Sequence, residues 1–205
     1  MNDTADLPEP DRIPGIPHPR ETVRLFGQDA AERGFLAAWA EDRLHHGWLL
    51  RGPRGVGKAT LAYRIARALI ADGPTGGGGL FGPEPAQAPE TLDMPADCPV
   101  AARIRAQSEP RLMVLRRSIN DRGRLRTQIT IDEVRGLRRF LGLSAADGGW
   151  RAVIVDAADE MNANAANGLL KLLEEPPART VLLLVSHAPA ALVPTIRSRC
   201  RSLDL

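Results

Sequence analysis

Four apolar runs and one alternating run predict β-strands at about 48–51, 112–115, 152–156, 181–185 and 201–205. The runs at 152–156 and 181–185 are apolar almost throughout, which is typical of strands buried on both faces of a sheet. Between the runs, apolar residues recur at the three- and four-residue spacing of an amphipathic helix. Strands that alternate with helices predict an α/β fold with a five-stranded parallel sheet. The pattern does not determine the order of the strands.

Two segments lack this periodicity. Residues 1–21 are rich in proline and poor in apolar residues, which predicts a flexible N-terminal arm. Residues 73–99 hold six glycines and six prolines, which predicts a loop or insertion. Apart from this insertion, residues 22–205 are expected to form one domain.

The stretch GPRGVGKAT, from Gly52 to Thr60, has the spacing of a phosphate-binding loop between a predicted strand and a predicted helix. Glycines allow the backbone to turn its N–H groups toward a phosphate, and the start of the helix adds positive potential. The lysine of this motif reaches the terminal phosphates. The candidate residues are Gly52, Pro53, Gly55, Val56, Gly57, Lys58, Ala59 and Thr60, and ATP is the candidate cofactor.

One position departs from the motif. The residue after the lysine is normally Ser or Thr, whose hydroxyl binds Mg²⁺, and Ala59 stands there instead. Thr60 does not simply replace it, because one residue along a helix is a rotation of about 100°. The sequence therefore supports nucleotide binding better than hydrolysis.

Asp156 ends the third predicted strand and has the position of a Walker B carboxylate, which orders Mg²⁺ or its water in P-loop proteins. The next residue is expected to be the glutamate that activates the attacking water, and here it is Ala157. Asp159 and Glu160 lie beyond the strand end, so they are weak substitutes. This second departure also argues against efficient hydrolysis.

Two other polar positions have alternative interpretations. Ser186 ends the fourth predicted strand, where it could contact the γ-phosphate or serve as a turn residue. His45 and His46 lack acidic or cysteine neighbours at ligand spacing, so we interpret them as structural or as loop residues near the nucleotide. No metal site is predicted.

Composition excludes several classes of protein. The chain has 43% hydrophobic and 25% charged residues and a net charge of +2, which is typical of a globular domain and does not by itself indicate a polyanion partner. It contains only Cys98 and Cys200, too few for a four-cysteine zinc site. Neither a membrane span nor a signal peptide is visible, so we expect a cytoplasmic protein. Of its 27 basic residues only Lys58 and Lys171 are lysines, which makes the loop lysine stand out.

Arginine is concentrated between residues 103 and 126. This segment has eight arginines against Glu109 and Asp121. It could contact nucleic acid, or it could be a solvated face of an arginine-rich protein, since no aromatic residues are interleaved to stack on bases. Both interpretations stay open.

Several motifs together resemble the bacterial clamp-loader branch of the AAA+ ATPases. They are Phe26-Gly27-Gln28, His45, the loop 52–60, Asp156 to Asp159, the stretch NGLLKLLEEPP at 167–177 and Ser198-Arg199-Cys200. The resemblance implies a three-layer P-loop NTPase sandwich with sheet order 5-1-4-3-2. It also implies a ring-like pentamer with other loader subunits that opens a sliding clamp and places it on primed DNA. The family's helical lid and collar domains are expected to be absent from these 205 residues, and zinc is not expected.

By this resemblance Arg199 is an arginine finger that acts on ATP held by a neighbouring subunit. Ala59 and Ala157 favour an accessory subunit with little or no ATPase activity of its own. Two alternatives are an active motor subunit of a clamp loader and a P-loop enzyme outside replication, such as a small-molecule kinase.

Overall fold

A computed structural model describes residues 9–41, 43–72, 89–95, 97–142 and 148–205. The helices are α1 (Asp29–Ala40), α2 (Lys58–Ala71), α3 (Pro99–Arg105), α4 (Ile131–Gly142), α5 (Ala163–Glu174) and α6 (Pro194–Ser198). The strands are β1 (Gly47–Arg51), β2 (Leu112–Leu115), β3 (Arg151–Asp156), β4 (Thr180–Ser186) and β5 (Arg201–Asp204). The strands agree with the five predicted from the sequence to within one residue at each end. The predicted insertion at 73–99 lies largely outside the described residues.

The five strands form one parallel sheet in the order β2-β3-β4-β1-β5. Read from the other edge this is 5-1-4-3-2, so the order implied by the resemblance is confirmed. Strands β3 and β4 are buried along their whole length, because strands flank them on both sides and helices cover both faces. This burial explains their continuous apolar sequence.

Hydrophobic side chains cover the sheet on both faces and make the predicted three-layer α/β sandwich. On one face α1, α2 and α3 pack against alternate strand residues such as Ile154 and Leu183. On the other face α4, α5 and α6 pack against the intervening residues such as Val155 and Leu184. Alternation along each strand thus supplies both cores. No helix within the described ranges is long and apolar enough to cross a lipid bilayer.

Side-chain caps set where two helices begin. Glu133 Oε2 accepts hydrogen bonds from the backbone N–H of Thr130 at 2.7 Å and from its hydroxyl at 2.5 Å, which fixes Thr130 as the residue before α4. Asn162 Oδ1 accepts from the backbone N–H of Ala165 at 2.9 Å at the start of α5. The ends of these helices are therefore encoded locally.

The N-terminal segment from Glu9 to Arg20 contacts the domain through charged side chains. Within the segment, Arg20 donates to both carboxylate oxygens of Glu9 at 2.7 and 3.1 Å, and Arg116 Nη2 donates to Glu9 Oε1 at 3.1 Å. Asp11 accepts at 2.5 Å from Arg116, which directly follows β2, and faces the fully buried ring of His18 at 3.1 Å. The proline-rich pattern does not indicate these contacts, because Asp11 and Arg116 are 105 residues apart in the sequence.

We expect Gly168→Ala to lower the free energy of unfolding by about 1–3 kcal/mol, because it overpacks the contact between α4 and α5. A Cβ at Gly168 would lie 2.8 Å from Ile131 Cδ1 and 3.0 Å from Val134 Cγ1. Urea unfolding followed by circular dichroism measures the change. Gly136→Ala in α4 is the matched control, since its Cβ would meet only the flexible end of Met113, at 3.4 Å. Equal effects of the two substitutions would contradict this packing.

Candidate nucleotide-binding site

The predicted phosphate-binding loop connects β1 to α2, as its motif requires. Gly52, Gly55 and Gly57 have φ angles of 151°, 84° and 96°, a region that favours glycine. Space is limiting as well, since a Cβ at Gly52 would lie 2.2 Å from the carbonyl oxygen of Leu205 and one at Gly57 would lie 2.3 Å from Leu25 Cδ1. The loop therefore needs glycine for its backbone conformation and for its close approach to neighbouring chain segments.

Backbone donors of this loop are available to an anion. No described residue accepts a hydrogen bond from the backbone N–H groups of residues 55–59. At the start of α2, the backbone N–H of Leu61 donates to the carbonyl of Gly57. Gln28 Nε2 donates to the carbonyl of Val56 at 3.1 Å and holds the loop from the side. Free N–H groups at the start of a 14-residue helix suit a phosphate group.

Lys58 is the cation of this site. Its side chain is buried, and Nζ donates to the carbonyl oxygens of Gly52, at 2.8 Å, and Pro53. Burial lowers the pKa of the Lys58 ammonium, and the charges of Asp156 and Asp159 oppose this effect. The ammonium therefore lies inside the loop near both carboxylates, as a phosphate-binding lysine does.

Asp156 lies at the carboxyl end of β3 and is 9% exposed. Burial raises the pKa of its carboxyl from 3.8 to about 7, and the charges of Asp11 and Glu160 act in the same direction while Lys58 opposes them. The predicted Walker B residue is thus close enough to Lys58 to interact with it electrostatically. Asp11 of the N-terminal segment is a neighbour of the site that the sequence analysis missed.

The groups that catalyse hydrolysis in P-loop enzymes are replaced or already have protein partners. Ala59 and Ala157 occupy the positions of the Mg²⁺ hydroxyl and the activating glutamate, and Thr60 is buried within α2. Asp159 Oδ1 accepts from the backbone N–H of His187 at 2.8 Å. Glu160 pairs with Arg117 at 2.9 Å and with Arg54 of the loop at 3.6 Å. Both carboxylates beyond the strand end are therefore held by partners within the chain.

Ser186 lies next to the loop strand, because the sheet register pairs it with Arg51. Its hydroxyl is buried and has no hydrogen-bond partner among the described residues, and the same holds for Nδ1 of His187. Burial lowers the pKa of the His187 imidazole, and so do the charges of Lys58 and Arg54. Unpaired buried polar atoms beside the phosphate-binding loop fit a polar ligand such as ATP.

Arg199 lies away from this site. It caps the C-terminus of α6, where Nη2 pairs with Glu174 at 2.9 Å and Nη1 donates to the carbonyl of Thr195 at 3.1 Å. Its backbone passes beside Gly47, the first residue of β1, where an added Cβ would lie 3.2 Å from the Arg199 carbonyl oxygen. The phosphate-binding loop follows the other end of β1, about 13 Å away at the rise of a strand.

The part of the chain that the structure describes holds no group of three His, Cys, Asp or Glu residues that could bind a metal ion. Both Cys98 and Cys200 are free thiols.

Comparisons with known proteins match this chain to subunits of DNA polymerase III. A protein-family model described as "DNA polymerase III, delta subunit" matches residues 27–205. This chain is 37% identical over 155 residues to DNA polymerase III subunit delta' of Pseudomonas aeruginosa, which is 76% of this chain and 41% of that protein. It is 27% identical over 182 residues to DNA polymerase III subunit gamma/tau of Mycobacterium tuberculosis. The aligned residues make up 88% of this chain and 28% of that protein. The chain thus spans less than half the length of these curated relatives.

Among solved structures, a DNA polymerase III gamma subunit-related protein from Thermotoga maritima aligns with a TM-score of 0.47 at 21% identity. The alignment covers 83% of this chain and 45% of that one.

We expect Asp156→Asn to stabilise the protein at pH 8 by about 2 kcal/mol or more, and to have no such effect near pH 4. The folded-state pKa of about 7 lies above the ordinary value of 3.8. Between these values the folded protein binds a proton that the unfolded chain has lost, so its free energy of unfolding falls as the pH rises. Thermal unfolding at several pH values measures the difference.

Asp121→Asn is the control for removing a carboxylate, because Asp121 is exposed in a turn. A stabilisation by Asp156→Asn that is the same at pH 4 and pH 8 would show that the buried charge is not its cause.

Proposed function

The chain belongs to the DNA polymerase III delta-subunit family, which confirms the resemblance carried by its motifs, and on this basis we propose that it is a delta-prime-like clamp-loader subunit. In this role it helps to load the sliding clamp onto primed DNA as part of the replicative DNA polymerase III. Its partners are delta and gamma/tau subunits, the sliding clamp, and primer-template DNA reached through the complex. The family match over residues 27–205 carries this proposal. A cytoplasmic location and the division at residue 22 stay predictions from the sequence.

In this proposal the subunit acts as a stator and hydrolyses little or no ATP by itself. Ala59 has no hydroxyl for Mg²⁺, and Ala157 has no carboxylate to activate water. Asp159 and Glu160, the nearest replacements, are held by His187, Arg117 and Arg54. Recruiting either carboxylate for catalysis would break its existing interactions.

ATP binding is the second part of the proposal. The free N–H groups of residues 55–59 would hold phosphates, with Lys58 as their counter-charge and Ser186 beside the terminal one. Pro53, Val56 and Thr60 contribute through the backbone conformation of the loop and the first turn of α2. A bound phosphate would replace the carbonyl oxygens of Gly52 and Pro53 as the hydrogen-bond acceptor of the Lys58 ammonium.

Arg199 is proposed as an arginine finger for the neighbouring subunit. It cannot serve its own loop, because the length of β1 separates the two. Its side chain is 36% exposed and pairs with a half-exposed Glu174. An exposed ion pair of this kind contributes about 0–1 kcal/mol, so Arg199 can leave it for a phosphate at little cost.

An active motor subunit like gamma/tau is the second candidate, favoured by the 27% identity to the gamma/tau protein of Mycobacterium tuberculosis. It requires an activating carboxylate that neither Ala157 nor its neighbours provide. Robust ATP turnover by the isolated chain would support this candidate over the stator.

We expect Arg199→Ala to abolish turnover at the one site of a reconstituted clamp loader that Arg199 faces, since an arginine finger contributes about 10³- to 10⁵-fold in rate. Steady-state ATPase assays of the complex, with clamp and primed DNA, measure the loss. Arg197→Ala is the matched control, because Arg197 is exposed two residues away. The isolated chain should show negligible turnover with or without either substitution. Unchanged turnover of the Arg199→Ala complex would refute the finger assignment.

We expect Lys58→Ala to weaken ATP binding by about 10- to 100-fold, the effect of losing a charge-assisted hydrogen bond to phosphate. Equilibrium titration with a fluorescent ATP analogue measures the affinity. Lys171→Ala is the control, since Lys171 is the only other lysine and is exposed on α5. An unchanged affinity in Lys58→Ala would mean that the loop is purely structural in this chain.

A further inference from the structure

Residues 118–126 form a short β-hairpin, called the arginine hairpin below, between β2 and α4. Ile119 and Leu125 make an antiparallel bridge across it, and the backbone N–H of Arg126 donates to the carbonyl of Ser118 at 2.9 Å. Asn120 Oδ1 accepts from the backbone N–H groups of Arg122 and Arg124, both at 3.0 Å. The Asn120 side chain therefore braces the tip of the hairpin.

Glycine completes the turn at the tip. Gly123 has a φ of 70°, and its N–H donates to the carbonyl of Asn120 at 2.9 Å. This arrangement is a tight turn with glycine in the left-handed position. The hairpin thus presents its side chains from an ordered backbone, which reduces the entropy lost when they bind a partner.

The structure separates the eight arginines of the segment 103–126 into two groups. Four have carboxylate partners within the chain: Arg103 and Arg111 pair with Glu109, Arg116 pairs with Glu9 and Asp11, and Arg117 pairs with Glu160. The guanidinium groups of Arg105, Arg122, Arg124 and Arg126 make no ion pair with a described residue. Three of these four are exposed on the arginine hairpin, where Asp121 is the only carboxylate.

We propose that the arginine hairpin binds the phosphate backbone of a nucleic acid. Guanidinium groups offer planar pairs of N–H donors that match phosphate oxygens. Arg124 and Arg126 flank the bridged residue Leu125, so they share one face of the strand about 7 Å apart. That spacing is about twice the axial rise between successive phosphates of one strand, so the two side chains can contact separate phosphates.

The composition of the hairpin favours nucleic acid over an acidic protein as its partner. Residues 118–128 contain no aromatic residue, and their two apolar side chains, Ile119 and Leu125, are half-buried. Protein interfaces depend on buried aromatic and apolar anchors, which this surface does not offer. Backbone recognition needs only cations and polar donors, and without aromatic stacking it does not depend on sequence.

This inference deepens the proposed function, because it gives the chain its own surface for the DNA on which a clamp is loaded. Its test uses the 205-residue chain without other subunits or nucleotide. Failure of DNA binding would leave the Arg199 experiment unaffected, and failure of that experiment would leave DNA binding unaffected.

The experiment measures binding of the chain to a fluorescent primer-template duplex by anisotropy between about 50 and 200 mM salt. We expect the double substitution Arg124→Ala and Arg126→Ala to weaken binding by about 10-fold or more at the lowest salt. It should also reduce the slope of log affinity against log salt by about 2, since each phosphate contact contributes about 0.9. Replacing both residues by lysine should retain most of the affinity, because the charges remain.

Arg24→Ala with Arg33→Ala is the matched control, since it removes two exposed arginines near α1 that make no ion pair with a described residue, and α1 packs at the opposite edge of the sheet. Equal loss of affinity in the two double variants would overturn the proposal, as would no detectable binding by the unmodified chain at about 50 mM salt and about 100 µM protein. The proposal would also be overturned if the hairpin variant kept its affinity for DNA but no longer bound an acidic partner subunit, because the surface would then be a protein-binding surface.

Discussion

The parallel alignment of the five strands is the constraint on which the candidate site depends. It brings the carboxyl ends of β1, β3 and β4 to the same side of the sheet. In the strand register Asp156 is paired with Val185 and Ser186 with Arg51, so the three strands end next to one another. The phosphate-binding loop, the Walker B position and the end of the central strand therefore meet, although they are far apart in the sequence. Helices pack on both faces of the sheet. The resulting burial at the carboxyl ends of the strands raises the pKa of Asp156 and lowers that of Lys58.

At this edge the chain supplies its own counter-charges. Burial disfavours the charged forms of both Asp156 and Lys58, and their proximity offsets part of that effect. Glu160 joins Arg54 of the loop to Arg117 after β2. A network of this kind disfavours activation of a water molecule, because the carboxylates near the loop already face a cation or an N–H donor.

The sequence predicted the site as far as local motifs reach. The loop glycines and Lys58 lie between β1 and the first turn of α2, and Asp156 lies at the end of β3, as the two local patterns predicted. Asp11, a neighbour of Asp156, was missed because its contact with Arg116 joins segments about a hundred residues apart. The function of the arginine-rich segment 103–126 was ambiguous for the same reason. The sequence gives the number of charged residues, and only the folded structure shows which of them have ion-pair partners.

The sequence by itself determined the type and approximate bounds of the strands and the presence of helices between them, because apolar periodicity acts over a few neighbouring positions. It also determined, through Ala59 and Ala157, which catalytic groups the chain lacks. The order of the strands entered only through resemblance, since no local pattern encodes it. Tertiary structure alone decided that Arg199 lies a strand's length from its own loop and that Glu160 is held by two arginines. It also decided that the arginines of the arginine hairpin make no ion pair with the described part of the chain. These are properties of distance and burial, which arise when remote segments pack together.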